Sequence, residues 1–504
     1  AAPAAPAAPA APAAPAAPDT PGAPIETPIE TPIETPIDTT DSTPDISGSG
    51  DTPGWTVTVV VDGQTMTTVV DDEGNWTVTV TNPLTPGVHI VTITITDPFG
   101  GTVTYTQTLT YNPALSGSQP VGPVRVFDTR AGQSPDALRV VSKGQVSGGY
   151  VLEVKMTALG RLVPADGVGA VSLNVTSTGS GAAGYITVYD CGVREFVASV
   201  NFAAGETVGN AVVAPVSPDG TVCFYSTTPI DIVVDMNGWF AKGEAFTGVG
   251  PKRVFDTRAG QSPNSERAVV KQQVSGGSVL EVKMTDLGGF VPTNGVVLVS
   301  LNVTSQGSGA AGYITVYDCG VREFVASVNF AAGETVGNAV IAPVSPDGTI
   351  CFYSTTPTDI VVDINGWFAK GEAFTGVGPK RVFDTRAGQS PNSERAVVKQ
   401  QVSGGSVLEV KMTDLGGFVP TNGVVLVSLN VTSQGSGAAG YITVYDCGVR
   451  EFVASVNFAA GETVGNAVIA PVSPDGTVCF YSTTPTDIVV DINGWFAGYE
   501  EFAV

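Results

Sequence analysis

Histidine, charge and long apolar runs are all scarce in this chain of 504 residues. The single histidine, His89, leaves no general source of the imidazole that Ser/His/Asp and Cys/His catalysis and most zinc sites need. Charged residues make up only 14% of the sequence, and no stretch approaches the ~20 apolar residues that span a bilayer. We therefore predict a protein that is not an enzyme and does not insert into a membrane.

Basic residues are also scarce and are confined to the later part of the sequence. The 23 Lys and Arg are outnumbered by 47 Asp and Glu, the net charge is −24, and no Lys or Arg precedes Arg125. Because proteins contact nucleic-acid phosphates through a basic face, nucleic acid is not an expected partner. The 61 Gly and 36 Pro, together with 42% hydrophobic residues, instead indicate a secreted, loop-rich β protein of several domains.

Residues 1–44 are predicted to form a proline-rich stalk. AAP repeats six times up to Pro18, and PIET and PIDT segments follow between Pro24 and Thr39. Proline at every third or fourth position prevents helix and sheet ladders and favours polyproline II, so the stalk is expected to act as a spacer. Because the sequence has neither an initiator Met nor an apolar leader, we expect that a signal peptide has been removed or that the chain is a fragment.

Alternating β-branched residues follow over residues 45–112, ahead of a linker at 113–122. The runs WTVTVVVDG, NWTVTV and TITITDPFG have period two and are separated by turn residues, a pattern typical of five or more short strands. This pattern resembles bacterial immunoglobulin-like surface domains. The resemblance implies a small β-sandwich that acts as a spacer or an adhesive module.

The remainder is a tandem array of one domain in three copies, predicted at 123–249, 250–377 and 378–504. VFDTRAGQSP occurs at 126, 254 and 382, and NGWFA at 237, 365 and 493, so both motifs recur every 128 residues. Short alternating or buried runs separated by Gly, Ser, Pro or Asp-Gly predict an all-β sandwich of eight to ten strands in each copy. The array also resembles a repeat of secreted multidomain proteins from Gram-positive-type bacteria, which implies no particular activity.

The connectors between copies, such as AKGEAFTGVGP from Ala241, are about ten residues long. That length is too short for free tumbling but long enough to keep neighbouring domains separate. We therefore expect an extended rod of domains, arranged like beads on a string.

The six cysteines form three pairs, each 32 residues apart and one in each copy. Six cysteines allow 15 pairings, and the repeat symmetry selects one of them. A disulfide that closes a loop of about 33 residues contributes roughly 2–4 kcal/mol. The cysteines have no CxxC spacing or adjacent base for redox chemistry, so we predict structural disulfides and an oxidising, extracellular setting. The predicted disulfides are Cys191–Cys223, Cys319–Cys351 and Cys447–Cys479.

Two sets of side chains in each copy are candidates for binding a sugar. The Asp and Arg of VFDTR lie two residues apart and share one strand face, where they form either an internal ion pair or a pair that hydrogen-bonds sugar hydroxyls. Tyr185 and Tyr189 alternate on another strand and form either a stacking surface or a half-buried sheet face. The Asp/Arg pairs are Asp128/Arg130, Asp256/Arg258 and Asp384/Arg386.

The strand DIVVDMN carries a candidate calcium site, because Asp231, Asp235 and Asn237 share one face and supply oxygen ligands. A calcium cage needs oxygens from a second segment, which the sequence does not identify, so a solvated polar face is the alternative. The equivalent carboxylates are Asp359, Asp363, Asp487 and Asp491. No other cofactor is expected.

Two further polar or aromatic features recur in the copies. Trp239 in NGWF either plugs the end of its sandwich or offers a platform for a sugar ring. Asn174 begins an N-x-T sequon and is expected to point outward, because it lies opposite Leu173 and Val175 on its strand.

These features predict a non-enzymatic extracellular protein of the cell surface that serves in multivalent adhesion or glycan and cell-wall binding. Tethered copies of a weak binding domain raise avidity by ~10²–10⁴, so the expected partner is a repeated polymer, either cell-wall or surface polysaccharide. One alternative is a self-assembling fibre or sheath, in which copies of the chain pair through strand edges and the C-terminal EEFAV or the stalk inserts into a neighbour. Another is the non-catalytic part of a secreted wall-active enzyme.

Overall fold

The protein divides into two compact units, Ala1–Leu115 and Ser116–Val504. The computed structural model describes residues 37–39, 43–50, 52–82, 84, 87–111, 117–160, 162–243, 246–369 and 374–497. These residues form β-strands joined by turns, with no α-helix among them, which confirms the all-β prediction. No membrane-spanning helix is found in the described ranges. The predicted stalk up to residue 36 and the C-terminal EEFAV lie outside these residues.

The first unit contains a seven-stranded immunoglobulin-like sandwich. One sheet has the order β1-β7-β6-β3-β4, and β2 pairs with β5 in the second. Period-two alternation buries Val57, Val59 and Val61 and leaves Thr58 and Val60 half-buried on the other face. The strands are β1 (Ile37–Thr39), β2 (Asp45–Ser49), β3 (Thr56–Val61), β4 (Gln64–Val69), β5 (Asn75–Thr79), β6 (Gly87–Thr96) and β7 (Thr102–Tyr111).

This domain begins earlier than the sequence predicts. The composition places Ile37 in the stalk, but the segment forms a strand that pairs in parallel with β7, where Ile37 lies opposite Leu109. The Ile-Asp-Thr segment after Pro36 has no proline of its own, so its amides are free to join the ladder.

The second unit consists of three eight-stranded repeats. Repeat 1 contains β8 (Ser118–Asp128), β9 (Val151–Lys155), β10 (Val168–Thr178), β11 (Gly184–Tyr189), β12 (Val200–Phe202), β13 (Val208–Pro215), β14 (Thr221–Ser226) and β15 (Asp231–Ala241). Repeat 2 contains β16 (Phe246–Asp256), β17 (Ser278–Lys283), β18 (Val296–Gln306), β19 (Gly312–Tyr317), β20 (Val328–Phe330), β21 (Val336–Pro343), β22 (Thr349–Ser354) and β23 (Asp359–Ala369). Repeat 3 contains β24 (Phe374–Asp384), β25 (Ser406–Lys411), β26 (Val424–Gln434), β27 (Gly440–Tyr445), β28 (Val456–Phe458), β29 (Val464–Pro471), β30 (Thr477–Ser482) and β31 (Asp487–Ala497).

Each repeat is a jelly roll, in which two four-stranded antiparallel sheets enclose one core. In repeat 1 the sheets have the orders β13-β10-β15-β8 and β12-β11-β14-β9, and the other repeats follow the same pattern. Phe127 and Phe224 meet edge to face between the two sheets, with ring centroids 5.2 Å apart. The sequence therefore predicts the sandwich correctly. The repeat boundaries predicted from the sequence differ by a few residues from the ends of the first and last strands of each repeat.

The three predicted disulfides are present, one in each repeat. Cys191 and Cys223 are joined with a Cα–Cα distance of 5.0 Å. Cys319–Cys351 and Cys447–Cys479 have Cα–Cα distances of 4.9 and 5.0 Å. Each disulfide fixes the loop after β11, β19 or β27 to the adjacent strand of the same sheet.

The expectation of an extended array is wrong, because the three repeats pack around a pseudo-threefold axis. Phe240, Phe368 and Phe496, the last residues but one of the three NGWFA motifs, form a triangle with centroid distances of 5.5 to 5.9 Å. Phe246 and Phe374 extend this buried group, which we call the axial cluster. Repeat 1 ends its last strand at Ala241 and repeat 2 begins at Phe246, so most of the predicted connector is part of these strands.

A polar seam closes the ring through the equivalent asparagines of all three repeats. The Nδ2 of Asn210 donates to Oδ1 of Asn302 at 2.9 Å, and the amide of Ala339 donates back to Oδ1 of Asn210 at 2.9 Å. The same pattern returns from repeat 3 to repeat 1, where Nδ2 of Asn466 donates to Asn174 at 2.9 Å. The repeats therefore form a closed cycle rather than an open chain.

The sequon asparagine of each repeat lies inside this seam, contrary to the prediction that it points outward. Asn174 is 4% exposed, and its Nδ2 donates to the carbonyl of Ala454 in repeat 3 at 2.6 Å. Asn302 and Asn430 make the same contact with Ala198 and Ala326. The face of β10 that is opposite its own core is covered by the next repeat, so these residues are not accessible for glycosylation in the ring.

Candidate functional site

The Asp/Arg motif is chiefly an internal ion pair. Asp128 is fully buried and accepts hydrogen bonds from Nη2 of Arg130 at 2.6 Å and from Oγ of Ser134 at 2.8 Å. Burial by itself would raise the pKa of Asp128, but these hydrogen bonds lower it. The equivalent bonds in repeats 2 and 3 bring the pKa of Asp256 and of Asp384 to about 2. Of the two alternatives that the sequence leaves open for these aspartates, the structure shows the internal ion pair, because their oxygens accept hydrogen bonds from side chains of the same repeat. Arg130 keeps 38% of its side chain exposed.

The proposed calcium ligands also have partners within their repeat. Asp235 is 1% exposed and forms an ion pair with Arg125, and burial raises its pKa to about 6 against the effect of that arginine. Asp231 accepts a hydrogen bond from Thr129 at 2.9 Å. Among the described residues these carboxylates belong to no group of three acidic side chains, so the calcium interpretation gains no support. The equivalent partners are Arg253 for Asp363, Arg381 for Asp491, Thr257 for Asp359 and Thr385 for Asp487.

The aromatic candidates are divided between the core and the surface. Tyr189 lies opposite Cys223 in the sheet and is 6% exposed, so it is not available to stack on a ligand. Trp239 is 4% exposed, and its Nε1 donates to the carbonyl of Leu162 at 3.1 Å, as expected for a plug of its own sandwich. Tyr185 is half-buried, and its strand β11 contacts β16 of repeat 2.

A cleft between repeats 1 and 3 brings two of the predicted residue types together. Arg130 of repeat 1 and Tyr441 of repeat 3, the equivalent of Tyr185, line a cavity of about 130 Å³. The hydroxyls of Thr178 and Thr207 contribute polar groups from repeat 1. The contact of Asn174 with repeat 3 holds the two walls at a fixed separation, so the cleft exists only because the ring closes.

An aromatic side chain that was not among the sequence candidates lies at the edge of this cleft. Phe452 is 79% exposed and follows Cys447 in the loop that the disulfide anchors. The guanidinium of Arg450 lies between the rings of Phe452 and Tyr481, at 4.8 and 3.8 Å from their centroids. This cation–π packing holds the exposed ring of Phe452 in place. An aromatic residue in the polar segment DCGVREF was the available signal. The equivalents Phe196 and Phe324 are 79% and 80% exposed.

The cleft offers aromatic surfaces and hydrogen-bonding groups with little excess charge. Arg125 is paired with Asp235 and Arg130 with Asp128, so each cation is balanced by a buried carboxylate. Hydroxyl, amide and guanidinium groups around an exposed ring suit a polyhydroxylated ligand with an apolar face. A cavity of about 130 Å³ is small compared with typical ligand pockets, so it fits a single sugar ring better than an extended molecule.

A second cluster of polar groups joins all three repeats. One carboxylate oxygen from each of Glu206, Glu334 and Glu462 lies within 4.8 Å of the others. Each carboxylate also accepts a backbone amide hydrogen, as Glu462 does from Ala459 at 2.6 Å. Burial first, and repulsion by Glu206 and Glu334 second, raise the pKa of Glu462.

Glu462→Gln is therefore expected to stabilise the protein at neutral pH. A carboxyl whose pKa is raised by folding favours the folded state while protonated, and this advantage is lost as the pH rises from the unfolded pKa through the folded one. Thermal unfolding should show a higher Tm for the variant at pH 7 and almost no difference at pH 3. Glu451→Gln, an exposed glutamate of the same repeat, is the control; an equal gain from both variants would contradict the repulsion among the three glutamates.

Comparison with known proteins identifies the first unit. Residues 37–112 match the model of a family described as a bacterial Ig-like domain, which confirms the resemblance found in that part of the sequence. No curated protein matches the chain significantly.

Similar solved structures come from varied sources. A triple jelly roll protein of an archaeal virus is 8% identical, with coverage of 76% of this chain and 91% of that one and a TM-score of 0.18. A Ca²⁺-stabilized, ice-binding adhesin of an Antarctic bacterium is 16% identical, with coverage of 90% and 87% and a TM-score of 0.14. A glucan utilization protein of Bacteroides ovatus in complex with a mixed-linkage heptasaccharide is 9% identical, with coverage of 91% and 94% and a TM-score of 0.15. TM-scores this low carry no inference about function.

Proposed function

We propose that the protein is a non-enzymatic extracellular surface protein whose ring of jelly rolls binds neutral saccharide units of a cell-wall or surface polysaccharide. The observation that carries this proposal is the cleft between repeats 1 and 3, where Arg130, Tyr441 and Phe452 meet beside hydroxyl and amide groups. Aromatic rings stack on the apolar face of a sugar, and the polar groups hydrogen-bond its hydroxyls.

Charge favours a neutral ligand over an acidic one. The cations of the cleft are internally paired, and the chain as a whole carries a net charge of −24, which repels anionic polymers. The three disulfides suit an oxidising, extracellular setting, and the match of residues 37–112 to a bacterial Ig-like domain fits the spacer or adhesive role that the resemblance implies.

Tyr441→Ala in the full chain is expected to weaken polysaccharide binding by about tenfold, as loss of a central aromatic contact does in other complexes. Retention on insoluble peptidoglycan, cellulose and chitin measures this effect, and an assay for released reducing ends tests for hydrolysis, which is not expected. Thermal unfolding of the variant separates loss of binding from loss of folding.

Tyr150→Ala is the matched control, because Tyr150 is a tyrosine of repeat 1 that is 62% exposed and is not among the residues lining the cleft. Its retention should equal that of the wild type. If the wild type is retained by none of the three polymers, or if Tyr441→Ala is retained as strongly as the wild type, the proposed function is wrong.

A further inference from the structure

The three interfaces of the ring are built from almost the same residues, but one position differs. The cleft between repeats 1 and 3 has 12 lining residues. At 11 of these positions the equivalent residues of the other two interfaces are identical. The exception is Thr178, which is replaced by Gln306 in repeat 2 and by Gln434 in repeat 3.

This single difference changes the hydrogen bonding of the arginine that lines the cleft. In repeats 2 and 3 the glutamine Oε1 accepts a hydrogen bond from Nη1 of Arg258 at 2.9 Å and of Arg386 at 2.8 Å. These bonds hold a long side chain across the guanidinium that would face a ligand. The exposed fraction of each of these arginine side chains is 30%.

Repeat 1 leaves the corresponding guanidinium available. Thr178 is too short to make the same bond, and its hydroxyl instead lies 2.6 Å from that of Thr207. Arg130 bonds Asp128 through Nε and Nη2, so Nη1 is directed to the side where the other repeats place glutamine. Its side chain is 38% exposed, more than those of Arg258 and Arg386.

We infer that residue 178 selects the cleft between repeats 1 and 3 as the saccharide site of the ring, and that Gln306 and Gln434 close the two equivalent clefts. This inference rests on the proposed function and makes it more specific. The ring holds one saccharide unit rather than three. The near-identical repeats 2 and 3 then serve mainly to build the walls and the closed framework of a single site.

The test exchanges Thr178, Gln306 and Gln434, which we call the gating residues, in the full chain. Thr178→Gln supplies the long amide that accepts from Arg130 and is expected to weaken binding about tenfold or more, because a hydrogen-bond donor with a charged group is withdrawn from the ligand. The double variant Gln306→Thr and Gln434→Thr is expected to bind three units instead of one. Tyr150→Ala, a change outside the residues that line the cleft, should bind as the wild type does.

Native mass spectrometry with cellopentaose and chitopentaose counts the oligosaccharide molecules bound to each protein, one for each occupied cleft. Retention on cellulose, chitin and peptidoglycan compares the affinities of the variants. Wild-type protein that binds three units, or Thr178→Gln protein that binds as the wild type does, overturns the gating inference and leaves the proposed function standing. Failure of every protein, including the double variant, to bind any of these probes overturns the proposed function and the inference together. Thermal unfolding of each variant confirms that the ring is intact.

Discussion

Phe368→Ala is expected to destabilise the Ser116–Val504 unit by about 3–5 kcal/mol, the usual cost of removing a buried phenylalanine ring. Phe368 is 1% exposed, and its ring centroid lies 5.8 Å from that of Phe240 and 5.9 Å from that of Phe496. It therefore joins all three repeats at the axial cluster. Urea unfolding followed by tryptophan fluorescence measures the loss, and small-angle X-ray scattering shows whether the ring loosens.

Phe324→Ala is the matched control for this experiment. Phe324 belongs to the same repeat but is 80% exposed, so its truncation should change stability by no more than about 0.5 kcal/mol. Equal effects of the two variants would show that the repeats do not share a core at the axis, and the closed ring would then be wrong.

Asp363→Ala is expected to cost about 3–5 kcal/mol, as removal of one partner of a buried ion pair does. Asp363 is 1% exposed and pairs with Arg253, which is itself only 17% exposed. Burial raises the pKa of Asp363, and the charge and hydrogen bond of Arg253 oppose this and favour the ionised carboxylate. Without it, the guanidinium would stay within the fold with only Asp256, at 3.1 Å, to balance its charge.

Glu323→Ala removes the same charge from an exposed position of repeat 2 and is the control for Asp363→Ala. Chemical unfolding of both variants at pH 7 should show a large loss for Asp363→Ala and almost none for the control. A small loss for Asp363→Ala would mean that Asp256 alone satisfies the arginine, and the ion pair would then be dispensable.

Much of the site was visible in the sequence, but not its assembly. Arg130 and the tyrosine of YITVYD are both candidates there, yet each is expected to act within its own repeat. The cleft instead combines Arg130 with Tyr441, which lies in repeat 3. A repeat period shows that equivalent residues exist, whereas contacts between copies depend on how the domains pack, and this packing has no local pattern. Phe452 was missed for a related reason, because an aromatic residue in a loop is exposed or buried only according to its neighbours.

The sequence by itself determined the strands, the sandwich class and the disulfides, because these depend on local alternation, turn residues and one cysteine pair in each copy. Only the tertiary structure decided which strand faces meet water. Alternation gives β10 two faces, with Leu173 on one and Asn174 on the other, and a polar residue normally marks the solvent side. Here the asparagine side is covered by repeat 3 and hydrogen-bonded to it. A polar side chain such as Asn174 can lie at a buried interface when its amide donates to an acceptor there, and that acceptor belongs to the neighbouring repeat, which strand patterning does not encode.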